Sequence, residues 1–390
     1  MLRRIGALNF LDHFRYGALT IALPLYLLSK GTDVGEIGLV LSLLPLAFLL
    51  VRVVSSVFAD VFGVKMFFIA SGVFNVLSSA VYAFAGTPLQ FGLGKIGEGA
   101  SSALFWAVDR TAIIARAHQK KYLMLMSVVR EFGAALGLIG GGLLIAFFSF
   151  EAVFALLVLL GIVWVLVSLQ LVNRGATVKK PEWKSLFRIR GREMDFWQVS
   201  AAIVLINVSF NLLFVFLLPL LMDAGLGMSY LEIAVMLTAF YVCMGIGGLL
   251  SVRLGEGKKS LLFQLMAIPL ILFLPFDGGF FSIALMLAGL GFGVCFGINE
   301  GLLGYISEKE KGVSSKLAVL IAPLNIVSFL VLAGSGFALK AFGNFALFGF
   351  CALLLAGFVV LAKKISMDID GKGVLSYRPH KGPASRQTGK

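Results

Sequence analysis

Residues 37–51 read IGLVLSLLPLAFLLV, with no charge between Glu36 and Arg52. The run lacks both the alternation of a half-buried strand and the three-to-four spacing of a helix with one wet face. A helix apolar on every side belongs inside hydrocarbon. Working outward, the same texture recurs along the chain. Of 390 residues 59% are hydrophobic and 14% charged, with 36 phenylalanines, 45 glycines and a mean hydropathy of +0.98. Soluble domains carry about 25% charged residues, and no water-soluble interior of this length hides so much apolar surface. Continuous runs also argue against a transmembrane β-barrel, whose strands alternate. The first apolar run follows Arg3 and Arg4 without a small-residue cleavage site, so it reads as a retained helix.

A spanning helix needs roughly 20 apolar residues. Charged and Gly/Pro punctuation divides the chain into twelve expected spans, near 5–29, 35–58, 65–85, 90–115, 122–148, 151–172, 197–222, 230–252, 260–275, 280–306, 313–339 and 344–362. The basic residues test this count. The N-terminus, the even-to-odd loops and the C-terminal tail hold 26 Lys and Arg; the opposite loops hold only Lys30 and Lys340. So lopsided a division places both termini in the cytoplasm of a cell-membrane protein. The net charge of +13 is therefore an orientation signal with some pull on anionic lipid, and nucleic acid is not an expected partner.

The basic stretch 173–196 divides the spans six and six. The expected organisation is a six-helix bundle over 1–172, a cytoplasmic linker over 173–196, a second bundle over 197–363 and a disordered tail over 364–390. Trp183 and Phe187 among the linker's basic residues suggest a segment lying on the membrane surface. The halves also echo each other. GTDVGEIGLVL at 31–41 and GMSYLEIAVML at 227–237 each lead into a helix, at a constant offset of 196. Repeated halves with a site between them mark secondary transporters.

Three segments resemble the major facilitator superfamily. The loop at 56–65, SVFADVFGVK, matches its signature loop at Asp60, Gly63 and Lys65, with Ser56, Val61 and Val64 departing from it. Lys95-Ile-Gly-Glu98-Gly99 resembles the family's basic element of the fourth helix, with Lys for the usual Arg. Gly133, Gly137 and Gly141 resemble the efflux members' antiporter motif, with Leu138 where proline is expected, although small residues at this spacing also simply pack membrane helices. The resemblance, nearest to drug/proton antiporter-like members, implies an all-α polytopic protein of twelve transmembrane helices in two pseudo-symmetric six-helix bundles. It implies that the 56–65 loop latches the halves together, and that the basic residue of the fourth helix is associated with proton transfer.

Ionisable groups inside a span cost at least ~2.5–3.5 kcal/mol on insertion scales, so each must face protein or water. Away from the span ends they are Asp12, His13, Arg15, Arg52, Lys95, Glu98, Asp109, Arg110, Arg130, Glu131 and Glu300, none of them in spans three, six, nine or twelve. Asp12, then Glu300 and Glu98, are the expected proton-coupling carboxylates. Asp12 and Arg15 share a face, whereas His13 points about 100° away. Arg15, Lys95, Trp106, Asn207, Phe210, Asn211 and Asn299 are the expected substrate contacts. Asp109, Arg110, Arg130 and Glu131 read as a cytoplasmic-side charge cluster, and Phe105 and Tyr241 add aromatic surface.

No phosphate loop, HExxH or Cys/His metal spacing occurs, and Cys243, Cys295 and Cys351 lie apart within apolar runs. The expected protein is a monomeric secondary transporter and no enzyme. It needs no cofactor or metal, draws on a proton gradient, and has a small-molecule solute, protons and membrane lipids as partners. Proton-coupled efflux of small amphipathic organic compounds is the leading expectation. A proton-linked importer or facilitator of a sugar or organic anion is the alternative within transport, and a non-transporting receptor or scaffold the alternative outside it.

Overall fold

A computed structural model of the chain describes residues 2–114, 120–172, 194–254, 258–276, 279–307 and 313–371. Among them are twelve helical segments and no strand. The first six are α1 (Leu2–Ser29), α2 (Val34–Phe62), α3 (Val64–Phe84), α4 (Pro88–Ile114), α5 (Lys120–Phe147) and α6 (Phe150–Leu169). Next come α7 (194–225), α8 (Tyr230–Leu254), α9 (Lys258–Phe273) and α10 (Phe281–Ser307). Gly343, at φ 76° and ψ 175°, breaks Val313–Gly371 into α11 (313–342) and α12 (344–371). The residues of the surface segment expected around Trp183 lie outside those described.

The helix ends follow from local chemistry. At the face opposite the chain's first helical residue, called here the far side, α2, α4, α6 and α8 all start on polar caps. Asp33 accepts from Gly35 N at 2.8 Å, Ser149 Oγ from Ala152 N at 3.3 Å, and Gln90 Oε1 from Gly86 N at 2.7 Å. Ser229 and Glu232 form a capping box, with Ser229 N donating to Glu232 Oε2 at 2.8 Å. The repeated sequence at 31 and 227 acquires a physical reason here, since Gly31 and Gly227 both take positive φ just before a capped helix.

Two ends differ from the expectation. α7 runs to Gly225 rather than 222, because Pro219 supplies no N–H and the helix widens around it, with Leu218 N bonding back to Leu213 O. α12 continues past 363, because Ile365 keeps a buried face.

Large apolar side chains cover the outside of the peripheral helices: Leu77 on α3, Leu159 and Leu166 on α6, Leu262 on α9, Leu353 and Val360 on α12. Water does not tolerate such a surface and lipid does. Two helices of ample length, α1 and α4, are too polar to count as spans by hydropathy. Their buried charges account for this, and those charges form the site described below.

Glycines set how closely the helices approach. A methyl group at Gly137 would overlap the carbonyl of Phe14, and one at Gly133 would lie 2.7 Å from Phe10 O, so α5 packs backbone to backbone on α1. Between the halves the tight approaches are Gly142 on Ala234 (α5 with α8) and Gly38 and Gly336 across α2 and α11. On the far side Phe150 meets Tyr230 at 5.3 Å and Tyr26 at 5.0 Å between ring centroids. Lys340 donates to Asp33 across the α2–α11 seam. One large buried core, including Ala18–Leu27 of α1 and the middle of α7, spans both halves here, while a second core around Phe68, Phe105 and Trp164 belongs to the first half.

The Lys340 partner, and then the Gly35 N–H, hold the Asp33 carboxyl below its ordinary value of 3.8. A depressed carboxyl contributes fully above its ordinary value and loses that contribution only as pH falls through the lowered one. Spin labels at Thr32 and Ala341 will therefore keep one separation between pH 8 and pH 5, and any loosening from loss of this pair will come only below 3.8. Parting inside the pH 5–8 window would mean another group controls this seam. Because the pair is exposed, salt will weaken it.

Candidate functional site

Asn9, Asp12 and Arg15 recur every three residues on α1 and so lie along one face. That face meets α4, and the charged side chains between α1, α4 and α5 form three successive rungs. In the first, Lys95 Nζ lies 2.9 Å from Glu98 Oε2, which also accepts from Tyr82 OH of α3 at 2.7 Å. In the second, Arg15 Nη2 donates to Asp12 Oδ1 at 3.2 Å and to Ser102 Oγ at 2.9 Å. In the third, Arg130 Nη2 donates to Asp109 Oδ2 at 2.5 Å and Nε to Asn9 Oδ1 at 2.7 Å. Asn9 Nδ2 closes this triangle onto Asp109 Oδ1 at 2.7 Å, and the Arg130 guanidinium stands 4.6 Å above the Trp106 ring.

From Glu98 to Asp109 the rungs extend about 16 Å along α4. The carboxylates and Arg15 are at most 4% exposed, and each cation faces an acid. Buried charges persist only when paired and hydrogen-bonded.

The rungs are not equivalent. Tight charge-assisted bonds run about 2.7–2.9 Å. The outer two rungs are that short or shorter, and the acid of each has a second donor, Tyr82 for Glu98 and Asn9 for Asp109. The middle rung is looser, and Arg15 Nε and Nη1 make no hydrogen bond to protein. Arg15 also stands near the centre of α1, and Ser102 near the centre of α4. The adjustable rung is therefore the one at mid-depth.

Residues 5–308 match the family profile described as Major Facilitator Superfamily. The chain belongs to the major facilitator superfamily. Among solved structures, a variant of the nucleoside transporter NupG superposes with a TM-score of 0.69 at 15% identity, covering 94% of this chain and 99% of that chain. A variant of the E. coli fucose:proton symporter FucP gives 0.68 at 17%, covering 93% and 98%. At these identities the likeness is one of fold. No curated protein matches the chain.

Within this superfamily fold, the expected glycines Gly133, Gly137 and Gly141 serve the α1–α5 contact. Gly63 takes φ +75° and makes the sharp turn between α2 and α3, and Lys65 lies half-buried in the first turn of α3. The side chains of Asp60 and Arg110 lie outside the described residues.

The second half contributes differently. Phe210 joins Phe214, Phe240, Phe292, Phe296 and Tyr241 in an aromatic cluster across α7, α8 and α10. The Asn207 amide is turned onto Ile203 O of its own helix, and Asn211 begins the first wide stretch of α7. Asn299 is buried with Oδ1 unbonded, whereas the neighbouring Glu300 is exposed. Glu131 Oε2 is shielded and unbonded, beside Gly245 of α8 and within electrostatic reach of Glu300 and Tyr241.

Two expectations change. Phe105 packs on Phe68 and Trp164 inside the first half, so its ring is core and not part of a binding surface. His13 does not point clear of Asp12: its Nδ1 bonds Asn9 O at 3.1 Å, and this brings it 3.6 Å from Asp12 Oδ2. Asn9, Tyr82 and Ser102 were missing from the expected site. The three-residue spacing before Asp12 signalled Asn9, but nothing in the sequence signalled the other two. Recesses of about 350 Å³ at the far end of α7 and α8, and about 340 Å³ on the α7–α11 surface, lie away from the rungs. In the middle rung Asp12 and Arg15 are almost wholly buried and Ser102 is half-buried.

Proposed function

We propose that this chain is a proton-coupled carrier of small amphipathic organic solutes, working by alternating access. The middle rung supports this reading most directly. A carboxylate and a half-used guanidinium sit at mid-depth on helices that span poorly alone, and two saturated ion pairs flank them. A proton and a solute can exchange there without unravelling the neighbouring rungs. Trp106, one turn along α4 from Ser102, and the aromatic cluster of the second half offer flat apolar surface for the rest of the solute.

The division of basic residues supports a cell-membrane orientation with both termini cytoplasmic, which makes the far side external. The single-chain site supports a monomer. Export in exchange for protons remains the direction suggested by the antiporter-like glycines. Those glycines are also needed for packing, so direction rests on how proton and solute share the middle rung. Proteoliposomes under a one-unit pH gradient, offered a panel of amphipathic compounds and sugars, test the reading. At least one amphipathic compound should accumulate severalfold, and collapsing the gradient should abolish the accumulation. No gradient-dependent movement of any panel member in either direction removes the carrier reading.

A further inference from the structure

The three rungs are a balanced set: Lys95, Arg15 and Arg130 against Glu98, Asp12 and Asp109. Tyr82 and Asn9 lock the outer rungs, so any exchange of partner falls on Arg15. Its side chain is almost wholly buried, Nη2 is shared between Asp12 and Ser102, and the three N–H groups on Nε and Nη1 are unused. Unused guanidinium donors that are buried at the middle of their helix favour an anionic oxygen. A second negative charge there would unbalance the set. Asp12 is faced by Arg15 and His13 on its own helix, Glu98 and Asp109 on α4, and Arg130 on α5. Glu98, Asp109 and Arg130 are engaged in the outer rungs, leaving Asp12 as the carboxylate free to change its charge.

Resting on the carrier reading above, we propose that Arg15 binds the anionic head of the transported solute while Asp12 takes up a proton in the same step, so that an organic anion and a proton cross together without net charge. The proton comes from water on the loading side, sits on an Asp12 carboxylate oxygen as the anion replaces that oxygen at Arg15, and leaves to water on the other side when the anion departs. Under an inward proton gradient this exchange drives uptake of organic anions. Export by competition between proton and solute requires instead a neutral or cationic solute.

The test uses full-length protein and matched probes: benzenesulfonate, ionised at every pH used, against neutral benzenesulfonamide, with naphthalene-2-sulfonate as a further monovalent anion. In a thermal-shift titration, at least one anion should bind tenfold or more tightly than the sulfonamide. Arg15→Gln should lose that preference and Arg15→Lys should keep part of it. In proteoliposomes, acid outside should speed entry of the bound anion severalfold, while a potassium–valinomycin potential of either sign should change the rate less than twofold. Equal binding of anion and sulfonamide by the unsubstituted protein overturns the proposal without needing any variant. So does an Arg15→Gln protein that keeps the preference, or a rate that follows the potential. If only neutral compounds move, the carrier reading stands and this proposal falls; if nothing moves, the carrier reading itself falls.

Discussion

Replacing Arg130 by Gln will lower the thermal unfolding temperature of the purified protein by on the order of 10 °C. Asp109 has no exposed surface, and among the described residues its charge is met by the Arg130 guanidinium at 2.5 Å. Removing one partner of a buried ion pair costs about 3–5 kcal/mol, because the other is left charged in a poor solvent. Each kcal/mol lowers the midpoint by about 2–4 °C in domains of 150–250 residues. The contact of Arg130 with the Trp106 ring is lost as well. The double variant Arg130→Gln, Asp109→Asn should recover much of the loss, since two neutral amides remain hydrogen-bonded to each other and to Asn9. A double variant no more stable than Arg130→Gln alone would show that the deficit is one of packing and not of charge.

Asp12→Asn will abolish gradient-driven accumulation in a protein that still folds, although it will be less stable because Arg15 stays charged without its acid. The amide keeps the shape of the carboxylate and an oxygen for Arg15 Nη2, so Arg15 and Ser102 stay in place. The amide carries no proton across. One proton per solute under one pH unit is worth about 1.4 kcal/mol, enough for about tenfold accumulation. The variant should fall from that ratio to equal concentrations on the two sides, while still exchanging labelled for unlabelled solute across a symmetric membrane. Retained tenfold accumulation would remove Asp12 from the coupling and pass the role to another carboxylate. Glu131 and Glu300 are next in line, because they stand between the halves and Glu131 keeps an unbonded oxygen. Glu98 is held by Lys95 and Tyr82 and is the least free of the candidates.

Some of this was legible before any coordinates. The three-residue spacing in α1 placed Asp12 with Arg15, and the spacing in α4 placed Lys95 with Glu98, because neighbours on one helix are fixed by its pitch. Pairing between helices was legible only as a class of contact. That Asp109 meets Arg130, that Asn9 closes their triangle, and that Tyr82 serves Glu98 depend on how α1, α3, α4 and α5 are rotated against each other. His13 shows the same limit at short range. Helical pitch placed it away from Asp12, yet a backbone hydrogen bond to Asn9 bent the ring back toward it.

The amino-acid order alone determined that the chain lives in lipid and is built of helices, because hydrocarbon satisfies no backbone hydrogen bond and an unbroken apolar run has no other way to cross it. It also determined which helices carry charge. Tertiary structure alone decided which charges are spent on one another and which stay available. The acids of the outer rungs, Glu98 and Asp109, received second donors from other helices, whereas Arg15 reached Ser102 with one nitrogen and left Nε and Nη1 unbonded. Three ion pairs of similar composition thus differ in how fully their donors are used, through contacts that no local spacing encodes.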